Sequence, residues 1–313
     1  MAEPSSRPGL SPAVLVAIVV TVLSWASSFV VIRGVGEHFG GGSLALGRLV
    51  VGAVLLGVVV LIGRRWVAPT VREWLLIAGF GAFWFAVYNF ALNTAEQTID
   101  AGTTSMIVNI GPILIAVGAG VILREGFPRW LGIGAAIAFV GVVLIGIATS
   151  SGFGDGIGLI WALVAAVTYA AGVLLQKPAI ARLPAAQVTF LGAAIGAVLC
   201  LPFSGELVAD LADAPPGAVW GMVYLGVVPT ALAFSTWAYA LGRMPAGQLG
   251  VTTYIVPPLV IVMGLLFFGE IPALLAIVGG VVCLVGVSVS RRRSVPRERD
   301  DVAVPARAEN LPE

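Results

Sequence analysis

The sequence predicts an all-α integral membrane protein with ten transmembrane helices arranged as two inverted five-helix repeats. Its composition, an internal duplication and the placement of its basic residues lead to that reading. The 313 residues are 59% hydrophobic and 11% charged, with a mean hydropathy of +1.03. A soluble domain carries about 25% charged residues, so the composition places most of this chain in a bilayer.

The duplication is read at a shift of 144 to 145 residues. Ser24-Trp25-Ala26-Ser27-Ser28 up to Arg33 falls on Thr168-Tyr169-Ala170-Ala171-Gly172 up to Lys177, and Gly52-Ala53-Val54-Leu55 meets Gly196-Ala197-Val198-Leu199. Further on, Ala95 meets Ala240, Ala101-Gly102 meets Ala246-Gly247, Pro112 meets Pro257, Glu125 meets Glu270 and Gly141 meets Gly286. Internal repeats of hydrophobic segments are typical of secondary transporters.

A span needs about 20 mostly apolar residues to cross roughly 30 Å of hydrocarbon. The first such run, 13–33, ends at Arg33, and the second, 42–62, stops before Arg64-Arg65. Residues 74–94 follow Arg72-Glu73, 101–123 run from Asp100 to Arg124-Glu125, and 130–149 follow Arg129. The second unit repeats the series: 157–176 ends at Lys177, 184–204 follows Arg182, and 217–240 precedes Arg243. Residues 246–268 then reach Gly269-Glu270, and 271–290 stop at Arg291-Arg292-Arg293. The expected organisation is a cytosolic N-terminal segment (1–12), a first repeat (13–149), a second repeat (150–290) and a disordered cytosolic tail (291–313).

Lysine and arginine collect on the cytoplasmic side of membrane proteins. With the N-terminus inside, that side holds Arg7, Arg64, Arg65, Arg72, Arg124, Arg129, Lys177, Arg182, Arg243 and the six tail arginines, while Arg33 alone is outside and Arg48 lies within a span. A missed or false helix in the middle would scramble this bias, so it supports ten spans in the plasma (inner) membrane with both termini cytoplasmic. Five spans per unit is an odd number, which turns the second unit upside down. Cys200 and Cys283 fall within spans and read as small buried apolar residues. The first span is read as a retained helix rather than a signal peptide, because nine more spans follow.

Arg48 is the chemically sharpest residue. An arginine deep in a span is tolerated only if it snorkels, binds backbone carbonyls or faces a water-filled cavity, where its planar fork suits a carboxylate or phosphate. Its repeat counterpart is Gly192, so the duplicated fold does not require it. Pro112 and the pair Pro257-Pro258 remove backbone donors at matching places, predicting broken helices at a midplane binding site. Thr103, Thr104, Ser105 and Asn109 precede the first break, and Gln248, Thr252, Thr253 and Tyr254 the second. Ser24, Trp25, Ser27 and Ser28 with Tyr169 form another polar and aromatic set, in which Trp25 and Tyr169 are repeat equivalents and predicted walls of a cavity. Tyr88, Asn89 and Asn93, with Ser235, Thr236, Trp237 and Tyr239, extend it; for Trp74, Trp220, Trp237 and Tyr239 an interfacial belt position is the competing reading. The paired glycines Gly132, Gly134 and Gly141 against Gly279, Gly280 and Gly286 read as close helix packing.

Catalysis is not expected. Gly152-Phe153-Gly154-Asp155 matches a short aspartyl-protease pattern, but Asp155 is expected in an external loop and lacks a second deep aspartate to share a proton. The single histidine, His38, lies in the loop after the first span, and no ligand cluster for a metal is visible. No cofactor is expected.

These features together resemble the drug/metabolite transporter superfamily, in particular its EamA-like ten-span branch. The resemblance covers residues 13–290. It rests on Trp25-Ala26-Ser27-Ser28-Phe29 to Arg33, Arg48, Tyr88-Asn89 to Ala101-Gly102, and Pro112 to Arg124-Glu125 and Gly141, then Trp237-Ala238-Tyr239-Ala240-Leu241, Pro257, Gly269-Glu270 and Gly286. It implies an alternating-access carrier, many such proteins being exporters of amino acids and other small metabolites, with a cavity between the units. Small four-span relatives use a glutamate in their first span, which this chain lacks, so carboxylate-driven export of cationic drugs is not expected. The expected function is efflux of a small polar or zwitterionic metabolite, with a receptor or lipid scramblase as the alternative. The expected substrate-binding residues are Arg48, Trp25, Ser28, Tyr88, Asn89, Asn109, Tyr169, Trp237, Tyr239, Gln248, Thr252 and Tyr254, with helix breaks at Pro112, Pro257 and Pro258. The expected partners are a small-molecule substrate and the lipid bilayer, with a homodimer as an option and no nucleic acid. Glu96, Asp100, Glu125 and Glu270 are all placed at span ends, leaving no deep carboxylate to carry protons.

Overall fold

The computed structural model describes residues 11–122, 129–149 and 153–290, all of it helices and their connections. The N-terminal segment before Ser11, the Arg124-Glu125 pair, Gly152 and the tail from Arg291 lie outside the described residues. The first repeat forms α1 (Pro12–Val35), α2 (Gly41–Gly63), α3 (Val71–Ala95), α4 (Ala101–Ile122) and α5 (Arg129–Thr149). The second forms α6 (Phe153–Ala179), α7 (Ala185–Leu199), α8 (Ser204–Asp213), α9 (Pro216–Leu241), α10 (Ala246–Phe268) and α11 (Leu274–Ser290).

Helix starts follow the local chemistry. Ser11 accepts from the Val14 amide ahead of Pro12, Thr70 and Glu73 close a capping box on α3, and Asp100 accepts from the Thr103 amide at 2.8 Å. Among the described residues, seven helices are long and apolar enough to cross a membrane: α1, α2, α3, α4, α6, α9 and α10. An eighth span is counted if α7 and the segment Leu201–Asp213 form one span bent by 52°. The expected span 184–204 is therefore shortened. α7 stops at Leu199 before Pro202, and residues read as a loop form α8, whose Asp210 accepts from the Gly40 amide at 3.1 Å and from the Ser43 hydroxyl at the start of α2. α5 and α11 carry only shorter apolar stretches, Ala136–Ile145 and Leu274–Gly286. Asp155, expected in a loop, lies in the first turn of α6.

Helices of one half pack chiefly on the other, and they do so reciprocally. α1 lies on α9 and α10, while its equivalent α6 lies on α3 and α4; α2 meets α7 and α9, and α3 meets α7. The pairs α2–α7, α4–α10 and α5–α11 each join an element to its own counterpart. Such an i·j, j·i pattern is the mark of a two-fold interface. The α5–α11 pair is closest: a Cβ on Gly141 would sit 2.5 Å from the Gly279 carbonyl, and one on Gly286 would sit 2.5 Å from the Ala138 amide. Cys283 fits the same seam and donates to the Ala138 carbonyl at 3.3 Å. Gly141, Gly279 and Gly286 are thus packing residues.

The symmetry extends to irregular backbone. α3 and α9 each contain one wide π-helical turn, Gly81–Val87 and Gly226–Leu232, at a shift of 145 residues. α4 and α10 are each interrupted: Val108 ends one helix before Gly111 starts the next, and a tight turn over Thr253–Ile255 separates the halves of α10. The missing amides of Pro112 and Pro257 explain the location of both breaks, and the surrounding amides tighten to three-residue bonds such as Ile113 to the Ile110 carbonyl at 2.9 Å.

Even the basic ends correspond. Arg33 Nη1 donates to the Glu96 carbonyl at 3.1 Å, closing the end of α3, and its counterpart Lys177 donates to the Leu241 carbonyl, closing α9 at the residue equivalent to Glu96. Cations suit helix C-termini, which gives both Arg33 and Lys177 a structural role at these ends. Gly269 takes a left-handed φ of 67°, which glycine adopts without strain, and the turn lets Glu270 pair with Arg33 at 2.8 Å.

Candidate substrate cavity

At the centre of the two-fold arrangement lies a narrow cavity of about 40 Å³. Trp25, Ser28 and Phe29 of α1, Arg48 of α2, and Trp84, Tyr88 and Leu92 of α3 form one side. Val108 and Asn109 at the α4 break, Tyr169 of α6, Phe234 of α9, and Thr253 and Val256 at the α10 break complete it.

Arg48 is 2% exposed, so it does not snorkel to a membrane surface. Its Nε donates to Thr230 Oγ1 at 3.2 Å, while Nη1 has no partner. Thr230 stands in the π-turn of α9 and itself donates to the Leu225 carbonyl at 2.8 Å, so the irregular turn presents an acceptor to the arginine. A guanidinium held at one nitrogen and open at another is prepared to take a planar anion.

The same cavity holds a cluster of aromatic rings. The centroids of Trp25 and Tyr169 are 6.3 Å apart in an edge contact, and Trp84 lies 5.0 Å from Tyr169 and 4.9 Å from Phe234. Trp237 packs 5.0 Å from Trp25 behind the wall. The breaks meet as well: Thr253 Oγ1 donates to Asn109 Oδ1 at 3.4 Å, joining the two repeats near the symmetry axis.

Six of the twelve expected binding residues line this space: Trp25, Ser28, Arg48, Tyr88, Asn109 and Tyr169. The other six do not. Asn89 is buried one turn from Phe85 and supports the π-turn of α3, donating to the Trp84 carbonyl at 3.3 Å and the Phe85 carbonyl at 2.7 Å. Trp237 is 1% exposed inside the aromatic cluster, which removes it from the interfacial belt. Tyr239 lies under the Arg243 guanidinium, 3.5 Å from its ring, while Gln248 is exposed on α10. Thr252 donates to its own helix at Leu249, and Tyr254 packs against the Ile113–Ala138 cluster. Pro112 lies beside Gly250, one turn before the α10 break, and Pro257 and Pro258 face a separate apolar crevice toward α11. Helical phase accounts for these placements: one residue along a helix turns a side chain about 100°, and local sequence does not show which side faces the partner repeat.

Sequence reasoning missed Trp84 and Phe234. A signal existed at Pro229, the repeat counterpart of Trp84, because a proline within the eighth span marks disturbed backbone there. Asn89→Ala is expected to lower stability by about 1–3 kcal/mol, since it strips a donor from buried carbonyls of the π-turn. Thermal unfolding in detergent followed by tryptophan fluorescence measures it.

A repeated chain, helical throughout its described residues, with long apolar helices and an aromatic-walled cavity holding a buried arginine between its halves, is a multi-pass membrane transporter. The chain belongs to the EamA-like transporter family, which matches residues 12–147 and again residues 156–292. It is 35% identical over 287 residues, 91% of this chain and 95% of the other, to a protein of Streptantibioticus cattleyicolor named "Probable terminal-alkyne amino-acid exporter". It is 32% identical to the uncharacterized transporter YdfC of Bacillus subtilis, over 84% of this chain and 86% of that one. A crystal structure sharing 18% identity aligns over 89% of this chain and 96% of its own with a TM-score of 0.62, which shows the shared fold.

Proposed function

We propose that this protein is an exporter of small zwitterionic metabolites, amino acids foremost, working by alternating access. The observation that carries the reading is the single cavity that joins Arg48, an aromatic wall and both helix breaks at the interface of the repeats. Arg48 receives the substrate carboxylate, and Trp25, Trp84, Tyr169 and Phe234 pack its side chain. The helix breaks act as the hinges about which the halves rock.

On this reading α5, α11 and the bent α7–α8 pair also span the membrane, which makes ten spans in two inverted units, 13–149 and 150–290, with both termini in the cytoplasm of a cell whose plasma membrane holds the protein. The basic residues at the α2–α3, α6–α7 and α9–α10 connections then lie inside. The named exporter among the relatives supports an amino-acid substrate and suggests L-propargylglycine, a terminal-alkyne amino acid, as the first probe.

The test loads proteoliposomes with L-propargylglycine and a mixed pool of amino acids and measures efflux by mass spectrometry. Selective escape above protein-free vesicles is the expected result. Equal escape from both, under every imposed gradient, removes the exporter reading and leaves a receptor. Movement of labelled lipid between leaflets in its place points to a scramblase.

A further inference from the structure

Arg48 and Glu96 are the buried charged side chains among the described residues, at 2% and 1% exposure. Glu96, expected at a span end, lies one residue past the end of α3, and the structure encloses it. Neither of its carboxylate oxygens has a hydrogen-bond partner. It follows Tyr88 and Leu92, both in the cavity wall, at four-residue steps, so it stands next along the same side of α3, one turn past the last lining residue of that helix.

The duplicated fold does not require a carboxyl here. The counterpart of Glu96 is Leu241, fully buried, and both positions have their backbone carbonyl capped by an equivalent basic residue. Arg48 likewise corresponds to Gly192. These two buried charges without a charged counterpart in the other repeat are thus an acid and a base in the same half, each with an unpartnered polar atom and not bonded to each other. An isolated buried carboxylate is strongly disfavoured and takes up a proton or a cation.

Building on the exporter reading, we infer that Glu96 is the coupling site, holding either a proton or the ammonium group of a zwitterion whose carboxylate sits on Arg48. Opened to the cytoplasm, the arriving ammonium displaces the proton from Glu96, and the proton leaves into the cytoplasm. Opened to the outside, the substrate departs and Glu96 takes a proton from that side. Each cycle moves one zwitterion out and one proton in, with no covalent change. The charged groups facing Glu96 are Arg33 of α1, Arg48 of α2, Asp100 on the following loop and Glu270 after α10. Burial raises its affinity for a proton well above the ordinary carboxyl range, opposed by the charges of Arg33 and Arg48.

The test compares wild type, Glu96→Gln and Glu96→Leu in proteoliposomes, with folding checked by size-exclusion chromatography. Leucine is the residue the other repeat carries at this place. In wild type an acidic lumen is expected to drive L-propargylglycine accumulation at least ten-fold above the no-gradient level. Glu96→Gln should lose that response while still exchanging labelled for unlabelled probe at a raised KM. A Glu96→Gln or Glu96→Leu protein that accumulates probe under the gradient as wild type does overturns the proposal. Infrared difference spectra across pH read the site without any flux. A protonated-carboxyl band that titrates in wild type and vanishes in Glu96→Gln upholds the proton site even if L-propargylglycine is not carried, in which case the amino-acid reading alone fails. No such band overturns it.

Discussion

Arg48→Leu is expected to lower carrier-mediated efflux of a zwitterionic amino acid by roughly ten- to hundred-fold, the equivalent of the 1.5–3 kcal/mol typical of a hydrogen bond to a charged group. Three structural facts favour this substitution as a clean probe. Leucine is well tolerated within a span, Thr230 keeps its bond to the Leu225 carbonyl, and the equivalent site in the second repeat manages with glycine. The loss should appear mainly as a raised KM, with Arg48→Lys recovering part of it, since an ammonium keeps the charge but not the planar fork. Unchanged efflux kinetics in a folded Arg48→Leu protein would reduce Arg48 to an anchor for the π-turn of α9.

Gly141→Leu is expected to prevent stable assembly of α5 on α11. The first atom added meets the Gly279 carbonyl at 2.5 Å and the Cys283 amide at 2.7 Å, both backbone, which rotamer changes cannot relieve. Overpacking ordinarily costs about 1–3 kcal/mol, and a backbone clash in a helix seam belongs at or above the upper end. Gly141→Ala should already lower the unfolding temperature in detergent. Gly217→Ala is the control, because a Cβ there meets nothing within 4 Å and alanine favours a helix by about 0.8–1 kcal/mol over glycine. Equal unfolding temperatures for Gly141→Ala and wild type would refute the close-packed seam.

The two halves of the site differ in how far the residues revealed them. Arg48, Trp25 and Tyr169 stood out locally, as a charge in an apolar run and as large polar-edged rings at repeat-equivalent positions. Trp84 did not, because a tryptophan in a span reads equally as a packing residue or a belt anchor, and only the π-turn turns it to the cavity. Asn89 carried a strong polar signal and proved to serve the backbone of that same turn. Glu96 looked like a residue at a water-exposed helix end, since hydropathy marks where a span stops and says nothing of what covers it.

Composition, the 144- to 145-residue repeat and the two proline breaks were determined by the sequence alone, because each is written in residue type and spacing along one helix. Tertiary structure decided which face of each helix turns inward, how the repeats interlock and which polar groups end up buried without partners. Those outcomes come from contacts between elements more than a hundred residues apart, such as Arg48 with Thr230 and Asn109 with Thr253. No local pattern encodes the angle at which two helices meet, and that angle decides whether a carboxyl such as Glu96 faces water or the interior.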